Sequence, residues 1–209
     1  IFAKEPARLT AAGVSDILGK YIALADWKIA SILMDEYYCS EVVNLETKAI
    51  RTVKDNLKEI AARENDACEK LMYALILSGL AMQMTGSSRP ASGAEHHMVH
   101  LWDMEVVNGH LNALHGEKVS AATMLVLLEY KKLADAIRRG TCRVHAFAGG
   151  DRELLQETFG RKGVLGALEK ENTPELLDDV STETLSGALP EILRIVDALP
   201  AVTDMQEMM

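Results

Sequence analysis

The stretch LMYALILSGLAMQM, residues 71–84, constrains the fold of this 209-residue chain more than any other. Wound at 3.6 residues per turn it is apolar on nearly every side, unlike an amphipathic surface helix. It is shorter than the ~20 apolar residues a bilayer requires, and it carries Tyr73, Ser78, Gly79 and Gln83. No other segment reads as a signal peptide or a membrane span. The expectation is a buried helix over about Asp66–Met84, central to the fold, with other helices packed around it.

Those other helices are legible. Few windows alternate apolar and polar residues, and long windows show helical spacing. A first helix is expected over about Leu9–Met34, with breaks possible at Gly13 and Gly19. A second runs from about Glu41 to Arg63, with Val42, Leu45, Ala49, Val53, Leu57 and Ile60 on one side. A Ser/Gly/Pro loop covers Thr85–Gly93. Further helices are expected from about Ala94, over Glu117–Arg138, and in short pieces near Asp151–Phe159, Pro174–Asp179 and Glu183–Leu199. Gly160, Gly163, Pro174 and Pro190 punctuate the tail. No repeat or low-complexity segment is present. The fold class is all-α, a helical bundle over residues 1–209, in one or two packed bundles.

The formal charge is −9, and basic residues occur only in short runs such as Lys131-Lys132 and Arg138-Arg139. That composition argues against nucleic acid as a partner. Cys39, Cys68 and Cys142 are odd in number and far apart, which points to reduced thiols and a cytoplasmic location. The chain opens on Ile1 rather than Met, as a fragment or a processed chain would.

Three of the six histidines, His96, His97 and His100, fall within five positions. On a helix His96 and His100 share a face and His97 points elsewhere. The pair suits a metal claw or an ordinary solvated helix; no His-Glu-x-x-His is present. His115 stands beside Gly116 at the start of an apolar helix, where its ring either faces a cleft or packs at the helix start. Asp16 is an acid in an apolar stretch. It is a candidate ligand, or a first-turn acid behind a Ser15 cap. Together they make a His/His/Asp set that suits Zn²⁺, with Ni²⁺ or Fe²⁺ as alternatives, and leaves a coordination position open. One straight helix would hold residues 96 and 115 ~28 Å apart. The chain must therefore double back, and Asn108-Gly109 is a turn dipeptide in the right place.

The motifs SSRPASGAEH (87–96), HGEKV (115–119) and AAGVSDILGKY (11–21) resemble the C-terminal helical domain of the sn-glycerol-1-phosphate dehydrogenases. These belong to the iron-containing (group III) alcohol dehydrogenase and glycerol dehydrogenase superfamily, with a dehydroquinate synthase-like fold. The resemblance covers about residues 5–135 and is not recognisable beyond about residue 140. It implies Asp16, His96 and His115 as metal ligands. It also implies NAD(P) bound by a separate N-terminal α/β domain, for which this chain has no glycine-rich strand-turn-helix unit, and a possible homo-oligomer. The implied reaction interconverts dihydroxyacetone phosphate and sn-glycerol 1-phosphate, a step toward phospholipids, and this half alone would be inactive. His100, Ser88 and Arg89 are candidates to face the phosphorylated substrate. For Arg89 the alternatives are a solvated loop residue or a structural salt bridge. A glycerol or other alcohol dehydrogenase, a cyclase of the dehydroquinate synthase type and a non-catalytic helical interaction module remain open.

Overall fold

In the computed structural model the chain is all-α, with no strand among the described residues. The structure describes residues 6–105, 109–145, 151–160, 163, 165–166, 170 and 180–209. The helices with described bounds are α1 (Ala7–Met34), α2 (Ser40–Lys54), α3 (Leu57–Ala61), α4 (Asn65–Thr85), α5 (Ala94–Asp103), α6 (His115–Arg138), α7 (Arg152–Phe159), α8 (Thr182–Asp197) and α9 (Val202–Met208). The tail piece expected near Pro174–Asp179 lies outside the described residues. Among the described residues, no helix is long and apolar enough to cross a membrane.

The central helix is α1, not α4. It packs against α2, α3, α4, α5, α6 and α8, and Ile17, Leu18, Ile22 and Ala23 are fully buried. Its apolar positions meet Ile50 and Val53 of α2, Ile60 of α3, Leu71 and Ala74 of α4, Leu127 of α6 and Met205 of α9 in one core. By contrast, α4 buries Leu71, Ala74, Leu77 and Ala81 but leaves Tyr73, Ile76, Leu80 and Met84 about half exposed. An apolar sequence sets what a helix can bury, and the neighbours decide what is covered.

Two further expectations are corrected. Gly13 and Gly19 do not break α1, which runs unbroken for 28 residues. A Cβ on Gly19 would lie 2.6 Å from Val119 Cγ1. Glycine there costs about 1 kcal/mol of helix propensity but lets α6 approach closely. The expected helix over 41–63 is two helices, because α2 ends at Lys54 and α3 starts at Leu57. Pro190 sits inside α8 without ending it.

Candidate metal centre

The site is built where α1, α5 and α6 meet. Asp16 lies in the interior of α1, so it is not a first-turn acid, and Ser15 is buried within the same helix rather than capping it. His96 lies in the first turn of α5 and His115 is the first residue of α6. Between them the chain doubles back, since α5 and α6 pack on each other. Of the proposed turn, Asn108 lies outside the described residues.

Two local devices bring His115 to α1. A Cβ on Gly116 would fall 1.9 Å from the Ala12 carbonyl oxygen, so only glycine lets the start of α6 rest on the α1 backbone. The second is an ion pair across the same junction. The Arg8 guanidinium grips both oxygens of Glu117, with Nε to Oε1 at 2.5 Å and NH2 to Oε2 at 2.6 Å. The Glu117 carboxylate also accepts the Leu114 N–H at 2.8 Å, closing the first turn of α6. Its pKa is held down at about 2 by the Arg8 hydrogen bonds, then by the Leu114 N–H.

One ligand atom from each of Asp16, His96 and His115 lies within 4.8 Å of the others. His96 Nε2 is 3.5 Å from Asp16 Oδ1, and His115 Nε2 is 3.9 Å from the same oxygen. A tetrahedral ion with bonds of about 2.0–2.2 Å places its ligands roughly 3.3–3.6 Å apart. The two Asp16 spacings lie within a few tenths of an ångström of that range, while the set as a whole, which spans up to 4.8 Å, must close by up to about 1.5 Å. Two imidazole nitrogens and one carboxylate oxygen are a donor set suited to Zn²⁺, Fe²⁺ or Ni²⁺. The residues present therefore fit a divalent ion.

The site is graded in depth. The side chain of His96 is 9% exposed, that of Asp16 23% and that of His115 47%. The open side faces a groove of about 690 Å³, whose walls include Leu9, Ala12, Leu71, Met72, Leu75 and Leu114.

Behind the ligands lies a layer of charge. Lys20 is 3% exposed, and its ammonium donates to Asp16 Oδ2 at 3.0 Å and to the Ala91 carbonyl at 3.3 Å. Glu95, fully buried, places Oε1 2.7 Å from His96 Nδ1, within hydrogen-bond distance. Asp103 faces His115 Nδ1 at 3.3 Å and pairs with Lys118 at 2.5 Å. Burial alone would raise the Asp16 pKa, but the His96 hydrogen bond and the Lys20 charge outweigh it and hold the carboxyl well below its usual range. Burial lowers the His96 pKa, and its bonds to Asp16 and Glu95 reverse that to a net rise. His100 shifts down, first through burial and then through its histidine neighbours.

The other candidates fall around this centre. His100 is exposed, with its ring 6.2 Å from that of His96, and it is outside the converging set. His97 lines a separate cavity of about 450 Å³ with Asp26, Arg89 and Tyr130. Arg89 donates to Glu36 at 2.7 Å, the salt bridge named as one of its alternative roles. Ser88 is exposed, and its carbonyl accepts the N–H groups of Ala91 and Ser92. Sequence reasoning missed Lys20, Glu95, Asp103 and Glu117. The four-residue step from Asp16 to Lys20 could have revealed the first. Adjacent helical residues do not normally face each other, which hid Glu95.

No family model matches the chain. Its similarity is to curated proteins named glycerol-1-phosphate dehydrogenase (NAD(P)+). The one from Halalkalibacterium halodurans is 43% identical over 132 residues, 63% of this chain and 33% of that protein. The one from Pyrococcus horikoshii is 36% identical over 159 residues, 74% of this chain and 45% of that protein. The one from Bacillus velezensis is 32% identical over 214 residues, covering 99% of this chain and 53% of that protein. The resemblance read from the motifs is borne out, and this last match carries it into the tail, where the motifs were silent. The chain spans between about a third and about half of the length of these relatives.

Proposed function

We propose, from the similarity of this chain to the glycerol-1-phosphate dehydrogenases, that it is the metal- and substrate-binding part of an NAD(P)-linked oxidoreductase of that kind. The substrate pair is dihydroxyacetone phosphate and sn-glycerol 1-phosphate. The observation that supports this most is the convergence of Asp16 Oδ1, His96 Nε2 and His115 Nε2 beside an open groove. Residues 1–209 form the helical unit, and the NAD(P)-binding domain lies in the part of the longer protein this chain does not span. Three free cysteines are in keeping with a cytoplasmic protein.

Asp16, His96 and His115 would hold a divalent ion, Zn²⁺ first and Ni²⁺ or Fe²⁺ as alternatives. Such an ion supplies Lewis-acid polarisation of the substrate oxygen, and the nicotinamide supplies or accepts the hydride. The chain's own residues do the positioning. Lys20 turns the Asp16 carboxylate so that Oδ1 faces the two rings. The buried His96 forms the floor, and the more exposed His115 forms the wall next to the groove. The exposed His100, whose ring lies 6.2 Å from that of His96 and whose pKa is lowered first by burial, we assign a substrate-facing role rather than ligation. Ser88 and Arg89 remain candidates for the phosphate, with Arg89 having to exchange Glu36 for it.

The test uses the full-length protein, purified without a histidine tag. Metal analysis should find about one divalent ion per chain. Chelation should abolish reduction of dihydroxyacetone phosphate by NADH or NADPH, and Zn²⁺ should restore it. Full activity in metal-free protein would overturn the reading. A second reading, a dehydrogenase for a phosphate-free alcohol, draws on the apolar walls of the groove and on the pairing of Arg89 with Glu36. Faster turnover of dihydroxyacetone than of its phosphate would favour it.

A further inference from the structure

We propose that Glu95 and Asp103 are the positioning residues that set how tightly this site holds its ion, by deciding which nitrogen of each histidine is free to bind it. The proposal rests on the reading of Asp16, His96 and His115 as ligands of a divalent ion.

A neutral imidazole carries one proton, and only the bare nitrogen can ligate a metal. The two rings here are arranged alike. His96 turns Nδ1 to Glu95 Oε1 at 2.7 Å and Nε2 to Asp16 Oδ1 at 3.5 Å. His115 turns Nδ1 to Asp103 Oδ2 at 3.3 Å and Nε2 to Asp16 Oδ1 at 3.9 Å. An ionised carboxylate only accepts hydrogen bonds, and Glu95 and Asp103 compete with Asp16 for the single proton of each neutral ring. Because each stands closer to Nδ1 than Asp16 Oδ1 does to Nε2, at 2.7 against 3.5 Å for His96 and 3.3 against 3.9 Å for His115, they favour the proton on Nδ1. That leaves both Nε2 lone pairs pointing at one place, together with Asp16 Oδ1. The acid behind each ring also raises its basicity as a ligand.

The two acids are unequal. Glu95 is 0% exposed. Its Oε1 also accepts the Gly93 N–H at 3.1 Å, which fixes that oxygen as an acceptor, and its Oε2 makes no hydrogen bond among the described residues. A buried, half-satisfied carboxylate is costly unless charge compensates it. Around the ligands stand three carboxylates, Asp16, Glu95 and Asp103, against two ammonium groups, Lys20 and Lys118. One negative charge is left over in this set, and a divalent ion at the histidines would more than offset it, turning a net −1 into +1 and placing positive charge beside the buried carboxylate. Asp103 is 36% exposed, stands farther from its ring and shares its charge with Lys118. Its hold on His115 is the weaker of the two.

The test compares the metal-stripped 209-residue chain with Glu95→Gln and Asp103→Asn. Glutamine keeps the size of the side chain and an oxygen that can stay on Gly93 N–H, and removes the charge. Zn²⁺ affinity is read by competition with a chromophoric chelator, and ring tautomers by long-range ¹⁵N–¹H NMR of the metal-free chain at pH 8. We expect His96 and His115 of the wild type as Nδ1–H tautomers. Glu95→Gln should weaken Zn²⁺ binding by roughly 10–100-fold, the range for removing such acids, and Asp103→Asn by about tenfold or less. Both variants should show mixed tautomers. If Glu95→Gln fails to fold, the exposed Asp103→Asn still decides the matter. Affinities equal to wild type in every folded variant, or an Nε2–H tautomer at His96 in the wild type, overturn the proposal alone. A wild-type chain that binds no Zn²⁺ overturns the metal reading and this proposal with it.

Discussion

Gly116 rests against Ala12 so closely that no side chain fits between them: a Cβ there would lie 1.9 Å from the Ala12 carbonyl oxygen and 2.7 Å from its Cα. The obstacle is helix backbone, which cannot rotate away as a side chain would. Gly116→Ala should therefore push the start of α6 off α1 and carry His115 away from Asp16. Overpacking of this kind costs about 1–3 kcal/mol. Denaturant unfolding should report that loss, and Zn²⁺ affinity should fall together with it. Wild-type affinity in a folded Gly116→Ala chain would show that the contact does not position His115.

The ligand assignment separates His115 from His100. His115 Nε2 approaches Asp16 Oδ1, whereas His100 touches the group only through its ring edge against His96. His115→Ala should lose Zn²⁺ binding by at least a hundredfold, and His100→Ala should keep it within about threefold. The reverse order, measured by chelator competition, would make His96 and His100 the ligand pair.

Glu46, which is not one of the ligands but feels the charges of Asp16 and Lys20, provides a pH-dependent prediction. It is fully buried on α2, and neither carboxylate oxygen makes a hydrogen bond among the described residues. Burial raises its pKa from 4.5 to about 7, against smaller opposing effects of Ser78 and Lys20. Between those two values the folded chain holds a proton that the unfolded chain has released. Stability from this group therefore falls as pH rises from about 4.5 to about 7, and levels off above. Glu46→Gln removes that dependence. Its stability relative to wild type should rise by about 3 kcal/mol across this window, measured by urea unfolding with a chelator present. A flat difference would mean that Glu46 ionises normally in the folded chain.

Arg89 is tied to Glu36 across a partly exposed pair. Such pairs contribute about 0–1 kcal/mol. In the full-length enzyme, Arg89→Ala should lower stability slightly and affect dihydroxyacetone phosphate and dihydroxyacetone alike. A KM raised many-fold for the phosphate alone would instead place Arg89 on the substrate.

How much of this was legible in the sequence depends on the range of the interaction. Helical spacing located α1, α4, α5, α6, α7 and α8, because periodicity and local propensity act within a few residues. The motif resemblance singled out Asp16, His96 and His115, the same residues that the fold brings within 4.8 Å of one another. Local pattern could not rank the helices. Residues 71–84 are apolar all round, yet Tyr73, Ile76, Leu80 and Met84 remain exposed while α1 takes the centre. Burial is a property of neighbours, and neighbours are set by packing across the whole chain. The same holds for the layer behind the ligands. Asp103 meets His115 from twelve residues away, Arg8 meets Glu117 from 109 and Lys20 reaches the Ala91 carbonyl from 71. The sequence by itself determined an all-α chain carrying a His/His/Asp set. Only the tertiary structure decided which nitrogen of each histidine faces Asp16, because that depends on carboxylates whose positions no local pattern encodes.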